Sequence, residues 1–127
     1  MEKIRWKITD VQGREIILKE TTYAEHILGD HAEEDARIRE CMEPQIKRTL
    51  ISPDIIIQDE VGRNLYYNTV VIRYEGRAAK IKILKVVVET DREPNEIVTW
   101  TPLRKGDNIK NGEIEYERNS EVSDKEI

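Results

Sequence analysis

Three observations in the 127-residue sequence predict an α+β fold. Residues 80–89 begin as an alternation of lysine with aliphatic residues and end in the run Val86-Val87-Val88, which is typical of a strand whose second half is covered on both faces. Residues 96–101 follow after a polar turn that contains Pro94, so the two segments predict a hairpin. Residues 22–50 carry apolar side chains at roughly helical spacing instead.

The N-terminal segment predicts a further β-hairpin. Residues 3–9 alternate basic with apolar side chains, and residues 15–20 contain a second short apolar run. Gly13 lies between them, where a tight turn needs a residue that tolerates positive φ. We interpret this hairpin as a ribbon at the edge of the sheet, with a structural role.

A first helix is expected after this hairpin. Thr21 or Thr22 is its expected N-cap, because Glu25 follows Thr22 at the spacing of a capping box. Tyr23 is expected on the buried face of this helix, and Gly29 is expected to end it.

Residues 33–50 predict a longer second helix, in which Cys41 lies among apolar positions. At such a position a packed, inert thiol is expected rather than a nucleophile. Pro44 is unfavourable inside a helix by about 3 kcal/mol. We therefore expect either a kink or two helices that meet near Met42 and Pro44.

Strand-like segments fill the rest of the folded region, at residues 55–57, 65–74, 80–89 and 96–101. Short turns join them, so consecutive strands must be antiparallel. The expected architecture is thus an N-terminal hairpin, two to three helices and a four-stranded antiparallel meander. We assign residues 1–106 to a single domain and residues 107–127 to an acidic, partly disordered tail, with a short edge strand at residues 114–116 left open.

Composition narrows the classes of function. The formal charge is −5, and residues 107–127 hold seven acidic and three basic residues, so the body before the tail is nearly neutral. Strong non-specific binding of nucleic acid is disfavoured, since it depends on neutralising phosphates. The single Cys41 excludes an internal disulfide and a multi-cysteine zinc site and indicates a reducing cytoplasm. No apolar run approaches the about 20 residues that span a bilayer.

His26 and His31 are the candidate proton carriers. They lie five residues apart, which would put them about 140° apart on one continuous helix, unlike a metal site with i,i+4 spacing. We therefore expect neither a metal nor a cofactor. Packing and capping are the simpler roles for two such histidines. A row of basic residues that includes Arg77 and Lys85 is able to attract an anion, although such rows are usually solvated faces.

Four short elements, in this order, resemble one family. They are a His-Ile…His-Pro-Glu element at His26-Ile27 and His31-Ala32-Glu33, a Thr-Leu-x-x-Pro-Asp-x-Ile element at residues 49–56, an aromatic strand at Leu65-Tyr66-Tyr67, and a Val-Val-Val…Val-Thr hairpin at residues 86–88 and 97–99. Together they are similar to the barnase–EndoU–colicin–RelE-like (BECR) nucleases of phages and mobile elements. The resemblance covers about residues 22–106.

The resemblance implies a fold in which helices pack on an antiparallel sheet. It also implies a toxin-like enzyme that cleaves RNA without a metal. His26 and His31 would act as general acid and base. Either Tyr67 or Tyr66, together with Lys85, would contact phosphate, with Arg77 as a further contact. Thr99, or Thr101 after the interruption by Trp100, would donate a hydrogen bond to it.

The sequence departs from the family pattern at Ala32, where proline is usual, and at Trp100-Thr101, where Ala-Tyr is usual. A second interpretation therefore stays open, in which a catalytically inactive relative binds a partner protein through its sheet edge or its acidic tail. RNA, a protein partner and an inhibitor are the expected partners, and no membrane is expected.

Overall fold

The computed structural model describes residues 3–29, 33–73, 79–103 and 112–118, with the backbone alone for residues 33–35. Across these residues, helices cover one face of a single sheet, which confirms the α+β class. None of the described helices is long and apolar enough to cross a membrane.

The helical layer is built from short pieces. Helix α1 (Glu20–Thr22) continues into a π-helical stretch, Tyr23–Gly29, which we call the π-segment. Helix α2 spans Glu33–Cys41 and helix α3 spans Glu43–Ile51. Pro44 lies at the start of α3, where its missing N–H has no helical partner to lose, so the prediction that two helices meet at this proline is confirmed.

Among the described residues, seven strands form the sheet: β1 (Ile4–Thr9), β2 (Glu15–Lys19), β3 (Ile55–Gln58), β4 (Asn64–Ile72), β5 (Lys80–Glu89), β6 (Asn95–Pro102) and β7 (Glu113–Glu117). Their order across the sheet is β1-β2-β6-β5-β4-β3-β7. All neighbours are antiparallel except β2 and β6, which are parallel and pair at Ile16 with Asn95 and at Ile17 with Glu96.

The predicted four-stranded meander, β3 to β6, is correct in its order, but the prediction of a four-stranded sheet is wrong. The N-terminal hairpin joins the sheet through the parallel pairing of β2 with β6, and β7 adds to the outer edge of β3. Both pairings connect segments that are far apart in the chain, and no turn sequence marks such pairing. Strand β7 falls in the region that we assigned to a tail, so the sheet continues past residue 107.

The two faces of the sheet have different environments. On one face, which we call the helix face, Tyr66, Val86 and Trp100 pack with α3 and the π-segment in the main core. On the opposite face, which we call the second face, Leu65 and Val87 belong to a smaller apolar cluster. The alternation of side chains along a strand accounts for this division, because neighbouring residues point to opposite faces.

Two local predictions are wrong. The first helix is capped by Lys19, without a side-chain hydrogen bond, rather than by Thr21 or Thr22. Strand β2 ends at Lys19 and the chain turns directly into the helix, so both threonines already lie inside it. Cys41 was expected to be packed, but it is exposed, because it is the last residue of α2 and lies at the break before α3.

Candidate functional site

The strand register brings three of the predicted site residues into one row. Tyr67 on β4 lies opposite Lys85 on β5, and Lys85 lies opposite Thr101 on β6. Side chains directly opposite each other on antiparallel strands share a face, with Cβ atoms about 5 Å apart. Thr99 lies opposite Val87 one row further along, on the same second face. Lys85, Thr99 and Thr101 are half-buried and thus accessible in part.

Arg39 completes this row from the helical layer. Its Nη1 donates to the carbonyl oxygen of Trp100 at 2.5 Å and lies 3.5 Å from Thr99 Oγ1, while Nη2 lies 3.3 Å from Thr101 Oγ1. In return, the indole Nε1 of Trp100 donates to the carbonyl oxygen of Arg39 at 3.1 Å. These reciprocal bonds fix the end of α2 against the outer edge of β6, beyond its pairing with β2.

We call Arg39, Lys85, Thr99 and Thr101 the Arg39 cluster. A guanidinium group, an ammonium group and two hydroxyls are donors suited to the oxygens of a phosphate, and the planar fork of arginine binds two of them at once. Such donors stabilise the charge that develops on a phosphate during cleavage of a phosphodiester. The arrangement is therefore suited to bind a phosphate at the part of the β6 edge that pairs with no other described strand.

The two candidate tyrosines lie on opposite faces of the sheet. Tyr66 is in the main core, where its hydroxyl donates to Asp10 Oδ2 and lies 3.3 Å from Nη2 of Arg14. Burial raises the pKa of Tyr66 well above its ordinary value, and the hydrogen bond to Asp10 acts in the same direction. Tyr67 is in the row with Lys85 but is only 1% exposed, packed in the smaller cluster with Leu65. In this structure neither hydroxyl is open to solvent for a phosphate contact.

His26 is exposed on the π-segment, between the buried side chains of Tyr23 and Ile27. The π-segment packs against both α2 and β6, and the rings of Tyr23 and Trp100 lie 6.0 Å apart. The histidine therefore belongs to an element anchored on Trp100, which lies between the two threonines of the Arg39 cluster. His31 and Arg77 lie outside the described residues.

Sequence reasoning missed two parts of this region. Arg39 is one of several charged residues in α2, and the sequence carries no sign that it reaches β6. A cleft of about 290 Å³ between the helices and β4 was also missed; it is lined by Cys41, Met42, Gln45, Val71, Ile72 and Arg73. No pattern in the sequence marks this cleft, since we expected Cys41 to be packed, whereas it is exposed.

The fold is thus an α+β domain with hydrogen-bond donors suited to a phosphate grouped at the edge of its sheet. The family model PBECR2, described as phage-Barnase-EndoU-ColicinE5/D-RelE like nuclease2, matches residues 5–120. The chain belongs to this nuclease family, which confirms the resemblance seen in the sequence. No curated protein and no solved structure matches the chain.

Proposed function

We propose that this protein is a metal-independent endoribonuclease and that the Arg39 cluster holds the scissile phosphate. The observation that carries the proposal is the Arg39 guanidinium, whose terminal nitrogens lie 3.5 Å and 3.3 Å from the hydroxyl oxygens of Thr99 and Thr101. Lys85, opposite Thr101 on the next strand, adds a positive charge to the same row. The family's description as a nuclease supports a phosphodiester as the substrate.

The proposed reaction starts at the ribose 2′-hydroxyl. A general base takes its proton, the 2′-oxygen forms a bond to phosphorus, and the bond from phosphorus to the 5′-oxygen breaks. A general acid gives a proton to that leaving oxygen, so the products are a 2′,3′-cyclic phosphate and a 5′-hydroxyl. We assign His26 and His31 as the two proton carriers, while Arg39, Lys85 and the threonine hydroxyls stabilise the charge on the phosphate. Tyr67, opposite Lys85, packs in the smaller apolar cluster and has a structural role in the row.

The test is cleavage of single-stranded RNA in the presence of EDTA. The wild-type protein is expected to cut and to leave 2′,3′-cyclic phosphate ends. Replacement His26→Ala is expected to slow cleavage by about a hundredfold or more, which is the usual contribution of a general acid or base. Lys85→Gln is expected to slow it by about tenfold or more, because a charged donor to the phosphate is lost.

Matched controls separate site effects from changes in total charge or folding. Lys7→Gln removes the same charge from β1, where the Lys7 side chain is 58% exposed beside Glu15. Thr101→Val, which removes a hydroxyl donor to the phosphate, is expected to slow cleavage as well, and Thr9→Val on β1 is its control. Both controls should cleave at the wild-type rate. Equal activity of wild type and His26→Ala would remove His26 from the mechanism, and loss of cleavage in EDTA would refute a metal-independent reaction.

The phage association in the family's description supports a further step. We propose that the nuclease has a toxin-like role in a phage or mobile element and that an inhibitor protein restrains it. Co-expression with neighbouring open reading frames, scored by relief of growth arrest, tests this step. Absence of growth arrest from the active protein would contradict it.

A second function, binding of a partner protein by an inactive relative, is favoured by three exposed aliphatic residues. Val71 and Ile81 pair across β4 and β5 on the second face, and Ile83 follows Ile81 on the same face. Ile81 is 75% exposed. Exposed apolar residues grouped in this way are typical of interaction surfaces. The cleavage assay separates the two functions, because an inactive relative leaves RNA intact while it remains folded.

A further inference from the structure

We infer that the cleft beside Cys41 is a nucleobase subsite, which takes one unpaired base of the RNA that the Arg39 cluster holds by a phosphate. This inference rests on the proposed function and adds the means by which the enzyme selects its substrate. The volume of about 290 Å³ is at the lower end for ligand sites. It therefore fits a single ring system with part of its sugar better than a longer ligand.

The lining of the cleft is suited to a flat, partly polar ring. Met42 and Ile72 provide apolar contacts, and the sulfur atoms of Met42 and Cys41 are polarisable groups that pack well against aromatic rings. Proteins that read single-stranded RNA splay bases out of the stack and hold them in pockets with such contacts. A paired base in a duplex is unable to enter, so the cleft selects for single-stranded RNA.

Positively charged residues lie in the lining of the cleft and on the neighbouring strand β5. Arg73 lines the cleft and is exposed, and Ile72 lies directly opposite Lys80 on β5, with Lys82 two residues further on the same face. These three cations complement the phosphates on either side of a bound base. Arg39 and Cys41 are two residues apart in α2, so this one helix contributes a side chain to the Arg39 cluster and, on a different side, another to the cleft.

Gln45 supplies a preference among bases. Its Nε2 donates to the carbonyl oxygen of Val71 at 2.7 Å, which fixes the orientation of the carboxamide. Its Oε1 is buried and has no hydrogen-bond partner among the described residues. A buried acceptor without a donor is unfavourable, and the exocyclic amino group of adenine, cytosine or guanine would satisfy it. Uracil has no exocyclic amino group, and its one base donor, the ring N3–H, lies between two carbonyl oxygens that the carboxamide oxygen would repel.

Alkylation of Cys41 tests the subsite without reference to cleavage. Cys41 is the only thiol of the chain and is exposed, so its rate of modification by iodoacetamide reports whether the cleft is occupied. Adenosine or cytidine monophosphate at about ten times its Kd should slow the modification about tenfold, by simple occupancy. Ribose 5-phosphate should give little protection. Cys41→Ser, which should not be labelled, verifies the site of modification.

Arg73→Gln is the test variant, and Arg92→Gln is its matched control. Arg92 is also an exposed arginine, but it lies at the turn between β5 and β6, at the end of β5 away from the cleft. Arg73→Gln should weaken protection by the nucleotides, and Arg92→Gln should leave it unchanged. Protection by nucleotides that does not exceed that by ribose 5-phosphate would overturn the subsite. Equal protection by uridine monophosphate would overturn the role of Gln45. Loss of cleavage with retained protection would count against the proposed reaction alone.

Discussion

The carboxylate of Asp10 is fully buried at the turn between β1 and β2, where several donors of the described chain satisfy it. Its Oδ1 accepts the backbone N–H groups of Gln12 and Arg14 at 2.9 Å and 2.8 Å, and its Oδ2 accepts Nε of Arg14 at 3.2 Å and the hydroxyl of Tyr66. A buried carboxylate is tolerated only when it is paired and hydrogen-bonded in this way. Tyr66 is thus a structural donor in the core.

Tyr66→Phe removes that donor and leaves the ring in place. Because the carboxylate of Asp10 stays buried with fewer partners, we expect the free energy of unfolding to fall by about 1–3 kcal/mol. Urea denaturation measures the change. Tyr116→Phe is the control, because Tyr116 is half-buried and its hydroxyl has no hydrogen-bond partner among the described residues, so its effect should stay within about 0.5 kcal/mol. Equal effects of the two replacements would contradict this role of Asp10.

For single residues, the sequence predicted which kinds of side chain belong to the candidate site better than it predicted where each of them lies in the fold. Tyr66 and Tyr67 are adjacent, and only the strand register decides which face each occupies. Arg39 lies in a charged helix, and its contact with Trp100 depends on how α2 meets the edge of β6. Such a contact depends on tertiary packing, which leaves no local pattern in the sequence.

Some helices and strands were predictable from the sequence, and others were not. The hairpin of β5 and β6 was predictable, because alternation, β-branched residues and a turn with proline all favour it. The break between α2 and α3 was predictable from Pro44. The parallel pairing of β2 with β6 was not, since it joins segments about 80 residues apart that no local pattern connects. The first helix was located, but its start at Glu20 and its π-helical continuation were not.

One contact between elements makes a prediction about pH. Glu43, at the start of α3, accepts Nε and Nη2 of Arg5 on β1 at 2.5 Å and 2.9 Å and the indole Nε1 of Trp6 at 3.0 Å. The hydrogen bonds from Arg5, and then the one from Trp6, lower the pKa of Glu43 below its ordinary value of 4.5, although burial opposes them. A lowered pKa in the folded state means that ionised Glu43 stabilises the fold above pH 4.5, and that this contribution is lost as the pH falls through the folded pKa.

Glu43→Gln should therefore lower the free energy of unfolding at pH 7 by about 1–3 kcal/mol, since hydrogen bonds to a charged group are lost. The difference from wild type should shrink as the pH is lowered from 4.5, because protonation removes the same charge in the wild-type protein. Chemical denaturation at a series of pH values measures it. Glu15→Gln is the control, because its partner Lys7 and Glu15 itself are both exposed, and exposed pairs contribute less than about 1 kcal/mol. A difference that is independent of pH would contradict this account.

At the scale of the whole molecule, the turn between β1 and β2 meets the strand at the far edge of the sheet. Arg14 Nη1 lies 3.3 Å from a carboxylate oxygen of Glu115 on β7, and Nε2 of Gln12 donates to the Glu115 carbonyl oxygen at 3.3 Å. The N-terminal hairpin thus forms one edge of the sheet with β1, while its turn contacts β7 at the opposite edge. The family match to residues 5–120 agrees with β7 as part of the folded unit.

Strand β7 is therefore expected to stabilise the whole fold. It covers the edge of β3, and Arg118 at its end lies 3.1 Å from an Asp54 carboxylate oxygen and donates to the carbonyl oxygen of Ser52. A chain that ends at Arg118 keeps all described contacts of β7, so its melting temperature should equal that of the full chain. A chain that ends at Leu103 loses them and exposes the edge of β3, so it should melt at a lower temperature and aggregate.

Gly112 allows a finer test of the same strand, because it directly precedes β7 at a point where the backbone passes close to β3. A Cβ atom at this position would collide with the carbonyl oxygen of Gln58 and with Cγ2 of Ile57. The backbone oxygen has little freedom to move, so Gly112→Ala should displace the start of β7 and destabilise the protein by about 1–3 kcal/mol. Glu113→Ala, one residue later and exposed, is the control and should change stability by less than about 0.5 kcal/mol. If Gly112→Ala and the chain ending at Leu103 both melt like the wild type, β7 is dispensable and the folded unit ends before residue 107, as the sequence predicts.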